Sequence, residues 1–408
     1  MLYVSSGKNL VEATLNLPKS KSEANRFLIL DFLYRCGLPT NLGEARDTSI
    51  LKRAITQAKT TGIVNVEDAG TAMRFLTAAL AVSPGQYQVF GTARMHERPL
   101  LPLITALREL GADIRCITQE GFAPLHITGK LLSATKVNIN GSISSQFISA
   151  LMMIGPLLHN PFYINTNGPL VSRPYMLQTA KVMQYIGCQV DVGANQLIIS
   201  GSPKPQAELH QIEPDWSSLA YWYCIIALSE KPLEIRFNDF KTGSVQADAI
   251  CESLFSQLGV QTVYHHEGLT LKSQALKSDY FSWNCTDCPD LVPALICCCA
   301  ALGIPAKLSG IAHLAYKESN RIACLKRELS RQGCQIHYEA DTLFLAHSQI
   351  QPSCITINSY QDHRLILCFM PWLIRGWHFE IPDPETVNKS YPQFWSHLKT
   401  VGFNVLLS

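Results

Sequence analysis

The feature of this sequence that most restricts its fold is a repeat of about 73 residues. In each copy a short polar or charged head precedes a strongly apolar helical run, as in DAGTAMRFLTAALAV from Asp68. Successive heads lie 48, 74, 73, 73 and 73 positions apart, at Ser22, Gly70, Ser144, Ser217, Asp290 and His363. A second segment alternates with the first: an amphipathic helix that stops at Gly before a strand-like run. The 408-residue chain therefore predicts six copies of one supersecondary unit.

Each copy contains one apolar and one amphipathic helix between strand-like runs such as QLIISG. A helix that is apolar all round lies inside its domain, whereas an amphipathic helix leaves one face in solvent. The pattern predicts an α/β (α+β) protein of βαββαβ-like units, arranged as two domains of three units. The best domain boundary lies in the polar run around 209–213. A composition of 47% hydrophobic and 16% charged residues supports large cores and excludes a disordered chain.

Charge and cysteine usage narrow the functional class. The 34 Lys and Arg residues against 32 Asp and Glu give a net charge of +2, which argues against a wholesale basic surface for nucleic acid. The longest apolar runs, such as 150–158, are well below the roughly 20 residues that span a bilayer. The fourteen cysteines include three in a row at 297–299 within an apolar stretch, which indicates reduced thiols. We therefore expect a cytoplasmic protein that binds neither nucleic acid nor membrane, and no metal at the lone CxxC of 285–288.

The heads of the apolar helices are candidate anion sites. A helix N-terminus presents unpaired N–H groups and a partial positive charge. For any single head, ordinary capping by Ser, Asp or Thr is sufficient explanation. Capping does not require Arg26 or Arg74 one turn inside an apolar helix, where a buried guanidinium needs an anion or a carboxylate.

The heads also carry a family resemblance. SKSEANR (20–26) resembles the SKSxSNR signature of the 5-enolpyruvylshikimate-3-phosphate synthase family, and AGTAMR with RMHERP is the most specific pair of motifs. In family order the matches are AGTAMR (69–74), RMHERP (94–99), SISSQF (142–147), SRPY (172–175), PD (289–290), KESNR (317–321), QDHR (361–364) and NKSYP (388–392). The resemblance implies two inverted α/β domains of three βαββαβ units each, with a pseudo-sixfold repeat. They would comprise 18–212 and 1–17 plus 213–408, with the N-terminal strand in the second domain and the active site in the interdomain cleft.

The resemblance implies a reaction of two small polyanions. The enolpyruvyl group of phosphoenolpyruvate would pass to the 5-hydroxyl of shikimate 3-phosphate through a tetrahedral intermediate, with release of phosphate, in chorismate and aromatic amino-acid biosynthesis. The expected enzyme is a monomer that uses no cofactor and no metal. Phosphoenolpyruvate would be bound by Lys21, Gly70, Arg98, Gln146, Arg321, Arg364 and Lys389. Shikimate 3-phosphate would be bound by Lys21, Ser22, Arg26, Ser144, Ser145, Gln146, Ser172, Asp290, His313 and Lys317. Supporting residues would be Thr71, Arg74 and Tyr175.

Four of these residues are candidates for catalysis by the same resemblance. Asp290 is expected to take the proton of the 5-hydroxyl, and flanking cations should keep it ionised. Glu318 and Lys21 are candidates for protonating the methylene carbon and relaying protons, and their division of roles stays open. His363 is a further candidate, with helix capping as the alternative.

The chain departs from the family pattern at four positions. Asp68 stands where the family has Asn, so phosphoenolpyruvate would be repelled unless an Arg or Lys neutralises this carboxylate. Phe75 replaces a Pro, which leaves inhibitor sensitivity open. His313 and Ala315 replace an Asn and an Arg, and His313 could still donate to the substrate phosphate.

Two other functions remain as alternatives. The related UDP-N-acetylglucosamine enolpyruvyl transferases use a loop cysteine, and the loop at 94–99 contains none. A catalytically dead ligand-binding homologue is the second alternative, against which stand the retained Lys21, Asp290, Glu318 and Arg364.

Overall fold

The structure, a computed structural model, describes residues 1–7, 10–142, 144–168, 170–206 and 210–407. The polar run in which the sequence predicts a boundary, 209–213, therefore lies partly outside the described residues. The chain divides into two compact units, which we call the first unit (Lys19–Ile212) and the second unit (Met1–Pro18 with Glu213–Ser408). Each unit has its own hydrophobic core.

The strands of the described residues are short and bounded by turns. They are β1 (Leu2–Ser5), β2 (Ala13–Leu15), β3 (Ile63–Asn65), β4 (Gly85–Phe90), β5 (Asp113–Cys116), β6 (Leu125–Gly129), β7 (Lys136–Asn140), β8 (Phe162–Asn167), β9 (Gln189–Val192), β10 (Gln196–Ser200), β11 (Glu234–Asn238), β12 (Val260–His265), β13 (Gly268–Ser273), β14 (Phe281–Asn284), β15 (Ala306–Ser309), β16 (Ile336–Glu339), β17 (Thr342–Leu345), β18 (Cys354–Thr356), β19 (His378–Ile381) and β20 (Asn404–Leu407).

The helices alternate with these strands. They are α1 (Lys21–Tyr34), α2 (Arg46–Thr60), α3 (Gly70–Val82), α4 (Ala93–His96), α5 (Leu101–Glu109), α6 (Ser145–Ile154), α7 (Arg173–Tyr185), α8 (Trp216–Leu228), α9 (Cys251–Gln257), α10 (Val292–Leu302), α11 (Arg321–Arg331), α12 (His363–Leu367) and α13 (Phe394–Val401). None of these helices combines the length and the apolar character that a membrane crossing needs.

The described strands form five four-stranded sheets with one common topology. In the first unit the orders are β3-β4-β6-β5 and β7-β8-β10-β9, and each has one parallel pair followed by antiparallel pairs. In the second unit the orders are β14-β15-β17-β16, β12-β13-β11-β2 and β18-β19-β1-β20. In the last two sheets one of the four strands comes from the N-terminus of the chain. Strand β2 pairs parallel with β11, and β1 pairs with β19 and β20. The repeat seen in the sequence is therefore a repeat of one sheet with its helices.

The first repeat differs from the others. It contributes α1 and α2, and the segment between them (35–45) contains no strand in the structure. This segment holds Gly37, Pro39 and Gly43, and glycine and proline are poor strand residues. The first repeat also has only β3 between α2 and α3, whereas the next repeat has β5, β6 and β7 between α5 and α6, and this is the main reason for its shorter spacing.

The apolar helices lie inside the units because no face of them is polar. Every residue of α3 except Thr71 is buried, and α8 is buried except at Ser217 and Ala227. Each large apolar side chain buried in this way contributes roughly 1.5–3 kcal/mol to folding. The last apolar run forms a shorter helix than its sequence suggests: α12 ends at Leu367, and a 3-10 segment, Met370–Arg375, continues it. Pro371 lies at that change, where it cannot donate to a continuing α-helix.

All fourteen cysteines are free thiols, and most of them are buried. Cys297 and Cys368, for example, lie with their sulfur atoms 3.5 Å apart in the core of the second unit. Their burial fits the interpretation of cysteine as a small apolar residue in this chain.

Candidate active-site residues in each unit

The N-terminus of α3 in the first unit is packed against two arginine side chains. Arg74 donates through Nη1 to the carbonyl of Gly70 at 3.0 Å. A Cβ atom at Gly70 would lie 2.4 Å from Arg98 Nη1 and 2.6 Å from Arg74 Nη1, so any larger residue there would displace the two guanidinium groups. Both arginines are buried, and Arg98 Nε has no hydrogen-bond partner among the described residues. Two guanidinium groups at the positive end of a helix fit a phosphate or carboxylate.

The carboxylate of Asp68, next to this helix end, has a cationic partner. Arg46 Nη2 lies 2.8 Å from Glu67 Oε2 and 3.5 Å from Asp68 Oδ1, and Arg53 also bonds Glu67. Partial burial lowers the pKa of Arg46, but the carboxylates of Asp68 and Glu67 raise it more, so the net shift is upward. Arg46 is thus a cation that can neutralise Asp68, which the sequence requires if phosphoenolpyruvate is to bind nearby.

Lys21 lies at the start of α1, where Ser20 caps the helix by accepting from Glu23 N. Its Nζ atom lies 3.0 Å from Asp47 Oδ2, and Asp47 is buried in the first turn of α2. Asp47 lies outside the motifs of the sequence. A lone Asp at a helix start is indistinguishable from a cap until the fold brings it to Lys21.

Arg26 is directed into the first unit. Its guanidinium donates to Thr179 Oγ1 at 2.7 Å, to the carbonyl of Ser22 at 2.7 Å and to the carbonyl of Tyr175 at 3.0 Å. Burial lowers its pKa to about 10. Its Cζ atom lies 5.6 Å from the centre of the Phe75 ring, a cation–π contact. These contacts tie α1 to α7, and a bond from Arg26 to substrate phosphate stays a prediction.

The polar heads of α3 and α6 are joined by a side-chain hydrogen bond. Gln146 Nε2 donates to Thr71 Oγ1 at 3.3 Å, while Ser144 caps α6 by accepting from Gln146 N at 3.3 Å. Ser145 is buried beside them. At the start of α7, Ser172 is buried with φ at +56°, a left-handed conformation that is uncommon outside glycine. The structure thus brings Thr71, Ser144 and Gln146 together.

Asp290 is the centre of a charge cluster in the second unit. It lies in the 3-10 turn Pro289–Leu291 before α10. Its Oδ1 atom is 2.9 Å from Arg321 Nη1 and 3.3 Å from Lys317 Nζ, and its Oδ2 atom is 3.0 Å from Arg364 Nη2. Burial raises the pKa of Asp290, but Arg364, Lys317 and Arg321 together lower it well below its usual range. Asp290 is therefore ionised, as the sequence predicts.

Arg321 is held between acids. Its Nε atom donates to Asp362 Oδ2 at 2.8 Å, and its Nη2 atom donates to Glu318 Oε2 at 2.8 Å. These carboxylates, with Asp290, raise its pKa against the effect of burial. Asp362 is fully buried, accepts from Ser319 Oγ at 3.1 Å and caps α12 by accepting from Arg364 N at 3.1 Å. This role of Asp362 is not visible in the sequence, since its partner Arg321 lies 41 residues away along the chain.

The remaining candidates of the second unit are buried or partly buried. Burial, with the charge of Lys317, lowers the pKa of His313 to about 4, so its imidazole is neutral at neutral pH. Burial also lowers the pKa of Lys317. His363 is buried at the first position of α12, with Nδ1 3.8 Å from Asp362 Oδ1. Lys389 is buried at the end of the 3-10 turn Pro384–Lys389.

Arg364 has partners that the sequence analysis does not include. Besides Asp290, its guanidinium donates to Ser217 Oγ at 3.2 Å and to Tyr221 OH at 3.4 Å. Ser217 in turn donates to the buried carboxylate of Asp248. The repeat pattern identifies Ser217 as a helix head, but no sequence signal connects it with Asp248. No group of three or more described His, Cys, Asp or Glu residues is arranged to bind a metal ion.

Comparisons with known proteins agree with the motifs. The sequence profile of the family described as EPSP synthase (3-phosphoshikimate 1-carboxyvinyltransferase) matches residues 37–398. A 3-phosphoshikimate 1-carboxyvinyltransferase of Bacteroides fragilis is 37% identical over 409 residues, which cover 99% of each chain. One of Methanospirillum hungatei is 31% identical over 354 residues, which cover 84% of this chain and 80% of the relative. An EPSP synthase structure from Acinetobacter baumannii shares the fold, with a TM-score of 0.77 over 100% of both chains at 18% identity.

Proposed function

The chain belongs to the EPSP synthase family, and on that premise we propose that it transfers the enolpyruvyl group of phosphoenolpyruvate to the 5-hydroxyl of shikimate 3-phosphate. The observation that carries this proposal is the Asp290 cluster. One ionised carboxylate lies within 3.3 Å of three cationic side chains, Lys317, Arg321 and Arg364. A reaction between two polyanions needs such cations together with a group that accepts a proton.

The addition step begins at the 5-hydroxyl. Asp290 accepts its proton as the oxygen bonds to C2 of phosphoenolpyruvate, and Lys21 or Glu318 delivers a proton to C3, which gives the tetrahedral intermediate. In the elimination step the C3 methyl group gives a proton back to Lys21 or Glu318, whichever delivered it, and the C2–O bond to phosphate breaks. The products are the enolpyruvyl ether and inorganic phosphate.

The cluster also explains how a carboxylate with so low a pKa can act as a base. A general base works best when its pKa lies near the working pH. The carboxylate and phosphate groups of the substrates draw on the same cations that lower the pKa of Asp290. Substrate binding therefore raises the pKa of Asp290 toward the range in which it accepts a proton.

We propose that the two substrates are bound by the sets of residues that the family resemblance implies. Arg98 and the N-terminus of α3, with Arg321, Arg364 and Lys389, bind phosphoenolpyruvate. Ser22, Ser144, Ser145, Ser172, Gln146, Lys317 and His313 bind shikimate 3-phosphate, with Arg26, Arg74, Thr71 and Tyr175 in support. Because these residues come from both units, the proposal requires the two sets to act on one substrate pair. The free thiols support a reducing compartment, and we propose a cytoplasmic monomer.

A phosphate-release assay tests this function. Purified protein is incubated with phosphoenolpyruvate and shikimate 3-phosphate, with each substrate alone, and with UDP-N-acetylglucosamine in place of the shikimate compound. We expect phosphate only from the first mixture, with the enolpyruvyl ether detected by mass spectrometry. Turnover only with the UDP-sugar would transfer the assignment to that enzyme class. Binding of shikimate 3-phosphate without turnover on either acceptor would indicate a ligand-binding homologue.

A further inference from the structure

Asp248 is a buried carboxylate next to the Asp290 cluster. It lies in the 3-10 turn Ala247–Ile250, directly before α9, and is 2% exposed. Ser217 Oγ donates a hydrogen bond to Asp248 Oδ2. The same Ser217 Oγ lies 3.2 Å from Arg364 Nη2, which is 3.0 Å from Asp290 Oδ2. Asp248, Ser217 and Arg364 thus form one hydrogen-bonded chain that ends at Asp290.

The chemistry of these groups fixes the direction of the chain. A guanidinium only donates, so Ser217 must accept from Arg364. A serine hydroxyl has one proton, and an ionised carboxylate only accepts. When Asp248 is ionised, the Ser217 hydroxyl donates its proton to Asp248, and the lone pairs of Ser217 Oγ can accept from Arg364. Without that acceptor the hydroxyl can rotate its proton toward Arg364, where it would oppose the guanidinium.

A capping role does not explain Asp248. No side-chain cap hydrogen bond forms at the 3-10 turn that contains Asp248 or at α9, which follows it. Helix α8, which bears Ser217, is capped by Asp215, which accepts from Ser218 N at 2.9 Å. A carboxylate buried at this depth lowers stability unless a partner compensates it. Its acidic neighbours Asp215 and Asp290 oppose its ionisation, and Arg364 favours it. The hydrogen bond from Ser217 to Asp248 therefore positions Arg364 and does not cap a helix.

We propose that Asp248 is a positioning residue, which orients Ser217 so that Arg364 is held for the anionic substrate. This inference deepens the proposed function and rests on it, because Arg364 is there a ligand of phosphoenolpyruvate. Asp248 itself touches no reacting atom. Its effect reaches the substrate through one hydroxyl and one guanidinium.

The proposal predicts a particular pH dependence. Burial raises the pKa of Asp248 to about 7, an effect that Asp290 increases and Arg364 opposes. The other groups that interact with it are Ser217, Asp215, Cys251 and Cys288. Below that pH a protonated Asp248 no longer holds the Ser217 proton, and the hydroxyl is free to rotate that proton toward Arg364. Binding of phosphoenolpyruvate should then weaken.

Kinetics of four variants test the chain: Asp248→Ala, Asp248→Asn, Ser217→Ala and the double variant Asp248→Ala with Ser217→Ala. We expect the two single alanine variants to raise KM for phosphoenolpyruvate at least 10-fold, and KM for shikimate 3-phosphate much less. The double variant should have a KM for phosphoenolpyruvate no higher than that of Ser217→Ala alone, because both changes interrupt the same hydrogen-bonded chain to Arg364. Asp248→Asn should be intermediate, because its amide oxygen still accepts from Ser217. Unchanged KM, or effects that multiply in the double variant, would overturn the proposal.

Two further measurements separate positioning from a merely structural role. The ratio of KM values for Asp248→Asn and wild type should be largest at pH 8 and shrink toward pH 6, and a constant ratio would count against the inference. Tyr223→Phe is the matched control, because it removes another buried hydrogen bond of α8, to Thr262 Oγ1, away from Arg364. It should lower Tm without changing KM. An equal rise of KM in Tyr223→Phe would mean that any loss in α8 disturbs the site, and would overturn the proposal.

A crystal structure distinguishes failure of this inference from failure of the proposed function. If the wild-type protein turned over neither shikimate 3-phosphate nor UDP-N-acetylglucosamine, the proposed enolpyruvyl transfer would be refuted. The position of the Arg364 guanidinium in Ser217→Ala and Asp248→Asn can still be read directly. We expect it to leave Asp290 Oδ2 in Ser217→Ala and to stay near it in Asp248→Asn. An unmoved guanidinium in Ser217→Ala would overturn the inference. If Asp248→Ala does not fold, these two variants carry the test.

Discussion

Asp290 is the residue at which the proposed chemistry can be tested most directly. The change Asp290→Asn keeps the size of the side chain and an oxygen that accepts from Arg321 or Arg364. It removes the base, so kcat should fall by about 100-fold or more. Phosphoenolpyruvate should still bind, since all three cations remain and the negative charge of Asp290 that they share is removed. Steady-state kinetics and titration calorimetry measure the two effects, and a near-normal kcat would refute Asp290 as the base.

A double-mutant cycle can measure how much the Arg46–Asp68 ion pair contributes to binding of phosphoenolpyruvate. Arg46→Gln removes the cationic partner that Asp68 has at 3.5 Å and so makes the potential beside the head of α3 more negative. We expect KM for phosphoenolpyruvate to rise several-fold, and the addition of Asp68→Asn to restore it. Asp68→Asn alone should change KM little, because Arg46 already neutralises the acid. A double variant as impaired as Arg46→Gln would show that Arg46 acts in another way.

His313 predicts a pH effect on stability. Its pKa is about 4 in the folded protein against 6.5 for the free side chain. Between these values the unfolded chain binds a proton that the folded chain does not, so the free energy of unfolding falls as the pH falls from 6.5 to 4. At pH 5 this amounts to about 2 kcal/mol at most. Urea unfolding at pH 7 and pH 5 should show a smaller loss in His313→Gln than in wild type, and equal losses would contradict the assignment.

At the scale of residues, the sequence predicts the cations but only part of the set of acids that hold them: Asp290 and Glu318 are among the candidates, whereas Asp47 and the role of Asp362 are not. Lys21, Arg98, Arg321 and Arg364 stand inside motifs, so the resemblance identifies each of them. Their carboxylate partners depend on the fold: Asp47 lies 26 residues from Lys21, and Asp362 lies 41 residues from Arg321. Asp47 has no motif around it, and the motif around Asp362 does not show that it pairs with Arg321; both pairings become visible only when the helices are packed together.

The head of α3 is the element on which a prediction about helix geometry can be tested. Gly70→Ala should favour the helix itself by up to about 1 kcal/mol. The new Cβ would displace the Arg98 and Arg74 guanidinium groups, which lie 2.4 and 2.6 Å from its position. We expect KM for phosphoenolpyruvate to rise at least 10-fold, with Tm unchanged or slightly higher. Kinetics and thermal unfolding measure the two effects.

Ala78→Gly in the same helix is the matched control for Gly70→Ala. Ala78 is buried far from the head of α3, and glycine there should lower Tm without changing KM. An unchanged KM in Gly70→Ala would show that the close approach of the two arginines is not required for binding.

At the scale of elements, the repeat period predicts more than the secondary structure of any one segment. The common order of the five described sheets, and the apolar helices inside them, follow from a pattern that recurs every 73 residues or so. The period does not show where β1 and β2 pair, because their partners β19 and β11 lie far away in the sequence. Family resemblance, rather than the pattern, predicts that the N-terminal strand joins the second domain. The early end of α12 follows from Pro371, a local signal inside a run that otherwise continues to look helical.

For the whole molecule, the net charge of +2 conceals an uneven distribution. Three cations surround Asp290 in the second unit, and two arginines lie at the head of α3 in the first unit. Such clusters attract small polyanions without making the whole surface basic. Composition alone excludes a protein that coats nucleic acid, but it cannot exclude an enzyme with polyanionic substrates.

The two-unit organisation makes the last prediction one about closure. The chain crosses between the units twice, at 18–19 and at 212–213. The crossing segments are fixed at their ends: Asp215 N donates to the carbonyl of Pro18 at 2.9 Å, and Asn41 bonds both N and O of Ile212. If residues of both units act on one substrate pair, we expect the protein to be more compact when both substrates are bound.

Small-angle scattering on Asp290→Asn can measure this closure, because the loss of turnover lets both substrates persist. The radius of gyration should fall when shikimate 3-phosphate and phosphoenolpyruvate are both present. Shikimate without its phosphate is the matched control, and it should cause less change because it lacks the anion that the cations bind. An unchanged radius at saturating substrates, with binding confirmed by calorimetry, would mean that the two units do not close on a common substrate pair.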